Sequence, residues 1–354
     1  MGIIFYSLII LLAFYMLARV TDVYFIPALE TIAKKLKMSS DVAGTTLMAM
    51  GSSAPELFIA LIAVFRPGGH EEIGMGTIVG SALFNILVII GAAAMARKAT
   101  LSWQPVIRDS FFYLLSIALL SYVFYNNHIN IAESIILILL YGLYILAVIH
   151  WKKWFPYEDD ATEVEKHAKP TTAAKNTFVQ KFLYPFDFLL KITFSKRKTC
   201  MWPAFVISII WISLLSWLLV ESAIHISHTL QIPEAIIALT ILAAGTSVPD
   251  LISSYLVAKD GKGGMAISNA IGSNIFDILI GLGLPWLFAI LIFNEKVEVS
   301  KENLISSLVL LFGSVIVVLF IMALRRWKIR RQTGILLILI YVAYLTWQII
   351  EATG

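Results

Sequence analysis

Two short runs of polar and helix-breaking residues recur inside strongly apolar sequence. Gly51-Ser52-Ser53-Ala54-Pro55-Glu56 returns as Gly245-Thr246-Ser247-Val248-Pro249-Asp250. Gly80-Ser81-Ala82-Leu83-Phe84-Asn85-Ile86-Leu87 returns as Gly272-Ser273-Asn274-Ile275-Phe276-Asp277-Ile278-Leu279. The copies supply carboxylates at Glu56, Asp250 and Asp277, an amide at Asn85, and hydroxyls at Ser52, Ser53, Ser81, Thr246, Ser247 and Ser273. Neither thiol nor imidazole is among them. An all-oxygen set selects hard cations such as Ca2+, Mg2+ or Na+ over zinc or copper. Calcium takes about 6–8 oxygens in flexible geometry, which suits hydroxyls, carbonyls and acids drawn from several segments.

Proline adds main-chain oxygen to this set. Pro55 and Pro249 each delete a backbone donor, freeing carbonyls near Ala49–Ser52 and Ala243–Thr246. Both breaks fall near the middle of their apolar runs, where interrupted backbone is tolerated only if it lines a cavity or binds something. Ser81 precedes Asn85, and Ser273 precedes Asp277, by one helical turn, so each pair shares a helix face. Gly76, Gly80 and Gly281 keep parts of these helices slim enough for close approach.

These residues must be positioned by membrane-crossing helices. Of 354 residues, 59% are hydrophobic and only 14% charged, against roughly 25% charged in soluble domains. A soluble enzyme, a nucleic-acid binder and a disordered chain are thereby excluded. The single cysteine, Cys200, leaves no internal disulfide framework. Runs of about 20 apolar residues are needed to cross a bilayer. Ten are counted, near 2–20, 42–65, 74–96, 105–125, 130–149, 202–221, 235–258, 265–291, 303–323 and 334–350. The first run lacks a leading basic cluster and resembles a retained span more than a cleaved signal.

The polar, basic stretch 151–201 divides the chain into a first five-helix repeat, 1–150 with its motif at 42–96, and a second, 202–354 with its motif at 234–291. Within the divider, Phe178 to Phe194 is too broken to cross and reads as an amphipathic segment on the membrane surface. With the N-terminus outside, every Lys and Arg of the 27 except Arg66, Lys296 and Lys301 falls in an inner connection, as the positive-inside rule requires. Both termini then face out and the divider is cytoplasmic. Because each half holds an odd number of spans, the two halves are inverted relative to each other. The predicted fold is an all-α membrane protein of ten helices in two inverted-topology repeats, the architecture of alternating-access carriers.

Other polar residues have plainer readings. His225 and His228 sit at a helix end as interfacial residues, and Glu71 and Glu72 as solvated acids. Glu133, Glu221 and Glu234 lie at span ends, where water reaches them, and Asp41 resembles a helix N-cap. The acidic run from Glu158 to Glu165 reads as a solvated loop. A Gly-Ser-Ser patch or a lone proline would each be an ordinary packing device or kink. Their coincidence with an acid and a polar partner helix, in both halves, is not.

The two motif pairs resemble the repeats of the cation/calcium exchanger superfamily, and specifically of sodium/calcium exchangers. The run Gly281-Leu282-Gly283-Leu284-Pro285-Trp286 is most similar to the potassium-dependent branch. The resemblance implies a cell-membrane antiporter in which Na+ and Ca2+ compete for one cluster of sites, with no cofactor and no protein partner to infer. It implies Ca2+ binding by Glu56 and Asp250 with carbonyls of Ser52 and Thr246. It implies Na+ sites at Ser53, Ser81, Ser247 and Ser273 with carbonyls of Ala49 and Ala243, flanked by Asn85 and Asp277. The first and sixth spans would slide as a gate against the other eight. The divider is far shorter than in animal exchangers and holds no recognisable calcium-sensing domain. An acid at Asp277 is associated with K+ co-transport in the potassium-dependent branch, yet potassium-independent relatives also carry it, so the K+ requirement stays open.

The alternative within transporters is a proton/calcium antiporter of the same superfamily, against which the hydroxyl-rich set argues. A cation channel could also use a carboxylate-lined pore, but mirrored broken helices disfavour it. Paired aspartates of an intramembrane protease would stand in different local sequences.

Overall fold

The structure, a computed structural model, describes residues 2–36, 38, 46–47, 49–97, 99–125, 128–155, 177–194, 201–261, 263–293, 297–298 and 304–353. It is helical almost throughout: α1 Gly2–Lys35, α2 Ala49–Ser52, α3 Ala54–Phe65, α4 Glu71–Ala96, α5 Trp103–Tyr125, α6 Ile131–Trp154, α7 Thr177–Phe194, α8 Met201–Leu230, α9 Glu234–Lys259, α10 Gly263–Phe293, α11 Leu304–Leu324 and α12 Arg331–Thr353. Among the described residues nine helices are long and apolar enough to cross a membrane, and α3 is a shorter apolar helix. Asp41 and the acidic run 158–165 lie outside the described residues.

Several boundaries differ from the sequence expectation. The first span was expected to end near residue 20, but α1 continues to Lys35 through a π-helical turn at Thr21–Phe25. Pro27 falls in the first turn after that irregularity, where its missing N–H costs least. Likewise α8 runs past Glu221 to Leu230 and stops at Gln231, whose φ of 56° is left-handed. Glu221 is therefore inside a helix and bonded to Arg66 at 2.9 Å. Glu133 is also not a solvated end residue: it is 6% exposed and closes a capping box with Asn130.

Among the described residues two large hydrophobic cores build the molecule, beside a small cluster of Ala93, Ala258 and Ala266. The larger joins buried side chains of α4, α5, α6, α10, α11 and α12. The second joins α1, α7 and α8 to the inner faces of α3 and the start of α9. The helices bearing the first motif of each pair thus lie between the cores. Two antiparallel ribbons tie the halves together: β1 Ala99–Thr100 with β4 Lys328–Ile329, and β2 His128–Ile129 with β3 Val297–Glu298. The segment expected to lie on the surface forms α7, held to α1 by Arg19–Asp187 at 3.2 Å and by Tyr24 stacked on Phe194 at 3.8 Å.

Candidate functional site

The first motif copy is broken. α2 ends at Ser52, Ser53 turns with φ −91° and ψ 4°, and α3 starts at Ala54 with Pro55 in its first turn. The Ser53 N–H donates to the Ala49 carbonyl at 3.0 Å, and the Ser52 hydroxyl donates to the same carbonyl at 3.3 Å. Glu56 lies in the first turn of α3, where a carboxylate suits the positive end of the helix dipole.

The second copy departs from expectation. α9 passes through Gly245–Asp250 without a break, with Pro249 inside it, and its irregular π turn lies upstream at Ala238–Leu242. A single proline removes only one helical donor, so the helix continues around it. The Thr246 hydroxyl sits where it can donate to the Leu242 carbonyl (3.1 Å), the Ala243 carbonyl (3.3 Å) or Glu56.

Packing across the halves follows from small residues. Gly80 lies against the Leu239 carbonyl, and a side chain on Gly76 would meet the Ala235 carbonyl at 2.9 Å. α4 therefore presses directly on α9, as the glycine pattern predicted. Gly281 faces Ile78, and Gly245 lies under the ring of Phe14 from α1.

The polar side chains meet across the same seam. Ser81 and Ser247 share a hydrogen bond of 2.7 Å. Asn85 Nδ2 donates to Asn274 Oδ1 at 2.8 Å and more weakly to Ser273 Oγ at 3.4 Å. Ser53 is hydrogen-bonded to Asp277, and the charges of Glu56 and Asp250 reach Asp277. Asp250 in turn feels Glu56 and Asp22. Glu56 is 3% exposed and Asn85 and Asp277 are each 1% exposed, and each keeps one buried oxygen with no hydrogen-bond partner: Glu56 Oε2, Asn85 Oδ1 and Asp277 Oδ1. An unpaired buried acceptor is costly, and three such oxygens in one region make a ready place for a cation. Among the described residues no group of three His, Cys, Asp or Glu is set to hold one metal ion.

Two polar residues escaped the sequence reading, Asn274 at this seam and Asp22 on α1. Asn274 is fully buried and donates to the Ala82 carbonyl at 3.1 Å and to Tyr113 Oη at 3.0 Å. Its signal was visible: it is the one strongly polar residue of the second motif that faces an alanine in the first. Asp22 was placed beyond the end of the first span. Asn85 and Asp277 each open a π-helical turn, Asn85–Ile89 and Asp277–Leu282, and Asp22 lies in another. Such turns concentrate at functional sites.

With that arrangement in view, comparison with known proteins is decisive. The sodium/calcium exchanger protein family matches residues 6–150 and 201–350. This chain belongs to that family. It is 34% identical to sodium/potassium/calcium exchanger 5 of Homo sapiens, over all of this chain and 84% of that protein. It is 29% identical to sodium/potassium/calcium exchanger 4 of Mus musculus, over 95% of this chain and 79% of that one. The fold is shared with a solved structure of the sodium-calcium exchanger NCX_Mj at TM-score 0.58 and 24% identity, covering 97% of this chain and 99% of that one. It is shared too with the H+/Ca2+ exchanger CAX at TM-score 0.69 and 13% identity, covering 98% of this chain and 81% of the other. The chain is an integral membrane transporter.

Proposed function

We propose that this exchanger couples Na+ influx to Ca2+ extrusion through one cluster of oxygen ligands at the seam between its halves. Glu56 and Asp250, with carbonyls of Ser52 and Thr246, hold Ca2+. Ser53, Ser81, Ser247 and Ser273, with the carbonyls of Ala49 and Ala243, serve Na+, and Asn85 and Asp277 flank the centre. The observation that carries this reading is the set of unpartnered oxygens on Glu56, Asn85 and Asp277 in a buried seam where the Ser81–Ser247 and Asn85–Asn274 hydrogen bonds join the halves.

Charge supplies the coupling. Buried carboxylates repel one another strongly in low dielectric, so the empty site resists being sealed from water. One Ca2+ or several Na+ offset that repulsion and let the site close, so the carrier changes face only when loaded. Ten helices in two inverted five-helix repeats, 1–150 and 202–354, with both termini outside and the 151–201 linker on the cytoplasmic side, give the two faces equivalent routes to the centre. α1 and α8 pack together in the second core, which also reaches α3, α7 and α9, and would slide as a gate against the other eight spans. K+ travels with Ca2+, a reading that rests on Asp277 and on the names of the relatives.

In sealed vesicles, an inward Na+ gradient should drive efflux of preloaded radiolabelled Ca2+, and Asp250→Asn should abolish it. Residual flux near the wild-type rate would remove Asp250 from the site. Flux that follows a pH gradient and ignores Na+ would transfer the chain to the proton-coupled reading.

A further inference from the structure

The two halves repeat more than the ion motifs, and one place where they part company is informative. The α5–α6 and α11–α12 hairpins correspond residue by residue: Tyr141 with Tyr341, Tyr144 with Tyr344, and β2 with β4. The turn 125–131 carries no Lys or Arg, whereas its counterpart 325–331 carries Arg325, Arg326, Lys328, Arg330 and Arg331. Where Asn130 and Glu133 cap α6 reciprocally, α12 has Arg330 and Thr333. Arginine offers no acceptor to a helix N-terminus.

The basic turn is built tightly. α11 closes with Trp327 N–H donating to the Met322 carbonyl at 2.7 Å and Arg326 N–H to the Ala323 carbonyl at 3.1 Å. That is a Schellman motif, but Arg326 and Trp327 both take left-handed φ, 52° and 62°, without being glycine. Beneath this turn is a cavity of roughly 360 Å³ lined by Ile321, Leu324, Arg325, Gln332, Thr333 and Leu336. Thr333 is only 6% exposed, and its hydroxyl has no hydrogen-bond partner; a buried Nη1 of Arg325 also has none. Two unpartnered buried donors therefore line one cavity, beside the positive end of α12. Apart from Gln332 its other walls are apolar and open to exposed flanks, with Leu324 67% and Leu336 47% exposed.

We propose that this cavity is a binding site for the phosphate headgroup of an anionic phospholipid. Arg325 and Thr333 take the phosphate oxygens, Arg326, Lys328, Arg330 and Arg331 raise the local anion concentration, and one acyl chain runs along Leu324 and Leu336. A lipid, not a free anion, is the occupant because the apolar walls continue onto the membrane-facing helix surface. Basic pockets between helices at a membrane face favour such headgroups.

The test is native mass spectrometry of the full chain released from detergent, titrated with phosphatidylglycerol, phosphatidylcholine or inorganic phosphate. Wild type should retain phosphatidylglycerol and not phosphatidylcholine. Arg325→Gln and Thr333→Val should each weaken retention about tenfold, as loss of a charge-assisted bond predicts. Lys259→Gln, an exposed cation away from the cavity, should change nothing. If Arg325→Gln does not fold, the nearly isosteric Thr333→Val decides alone. Equal retention by wild type and variants, equal retention of phosphatidylcholine, or displacement of the lipid by inorganic phosphate at matching concentration would each overturn the assignment.

Discussion

The ring of Tyr341 lies edge-on to Phe84, with centroids 5.5 Å apart and planes at 87°. Its counterpart in the other half repeats the contact, Tyr141 meeting Phe276 at 5.5 Å and 80°. Phe84 and Phe276 immediately precede Asn85 and Asp277, so each flanking polar residue of the proposed ion site follows a ring packed on a tyrosine from the opposite half. Edge-to-face pairs contribute about 0.5–1.5 kcal/mol beyond their buried area. A double-mutant cycle on Tyr341→Ala and Phe84→Ala should return a coupling in that range by thermal unfolding; strictly additive losses would show the pair to be mere neighbours. Tyr341 Oη is buried without a partner, so Tyr341→Phe should cost no stability. Tyr344 Oη is bonded to Ser307 Oγ at 3.1 Å, and Tyr344→Phe should cost about 0.5–1.5 kcal/mol.

Gly245 provides a steric test of how α1 sits on the site. Any side chain there would strike the Phe14 ring. Gly245→Ala should therefore slow exchange strongly, and the added substitution Phe14→Ala should restore much of the rate. Overpacking of this kind typically costs about 1–3 kcal/mol. Failure of the second change to rescue the first would mean that α1 does not press on α9 during transport.

A buried ion pair holds three helices together away from the ion site. Arg108, 1% exposed, donates to Asp109 Oδ1 at 2.8 Å, and Asp109 also accepts from Tyr144 at 3.1 Å and from Ser268 at 2.9 Å. Removing one partner of such a network leaves the other charge buried and costs about 3–5 kcal/mol. Asp109→Asn should lower the unfolding midpoint markedly, while a detergent-solubilised protein melting at the wild-type temperature would show the pair to be dispensable.

Potassium dependence is testable at one carboxylate. Ca2+ uptake by the wild type should rise several-fold when K+ is supplied, and Asp277→Asn should abolish that rise while leaving Na+-driven flux measurable. A wild type indifferent to K+ would assign Asp277 to Na+ or Ca2+ alone.

Repeated motifs, oxygen-only ligands and glycine spacing were all readable along the chain because they are local properties of sequence. Gly76 and Gly80 do pack against α9, and Ser81 does meet Ser247 of the other half. Asn274 was missed because its value lies in reaching a carbonyl and a tyrosine on two other helices. Arg108 was counted with the loop cations; only its neighbours reveal that it is buried and paired.

Composition and periodicity by themselves determined that this is a membrane protein with duplicated, cation-compatible motifs, because hydrocarbon imposes apolar length and punishes every unexplained acid. Tertiary structure alone decided which breaks were real and which oxygens were left over. Proline weakens a helix at one bond, and only surrounding packing fixes whether the chain turns, as at Ser53, or continues, as through Pro249. An oxygen becomes available to an ion only after every nearby donor has found its partner, and those donors come from distant segments of the chain.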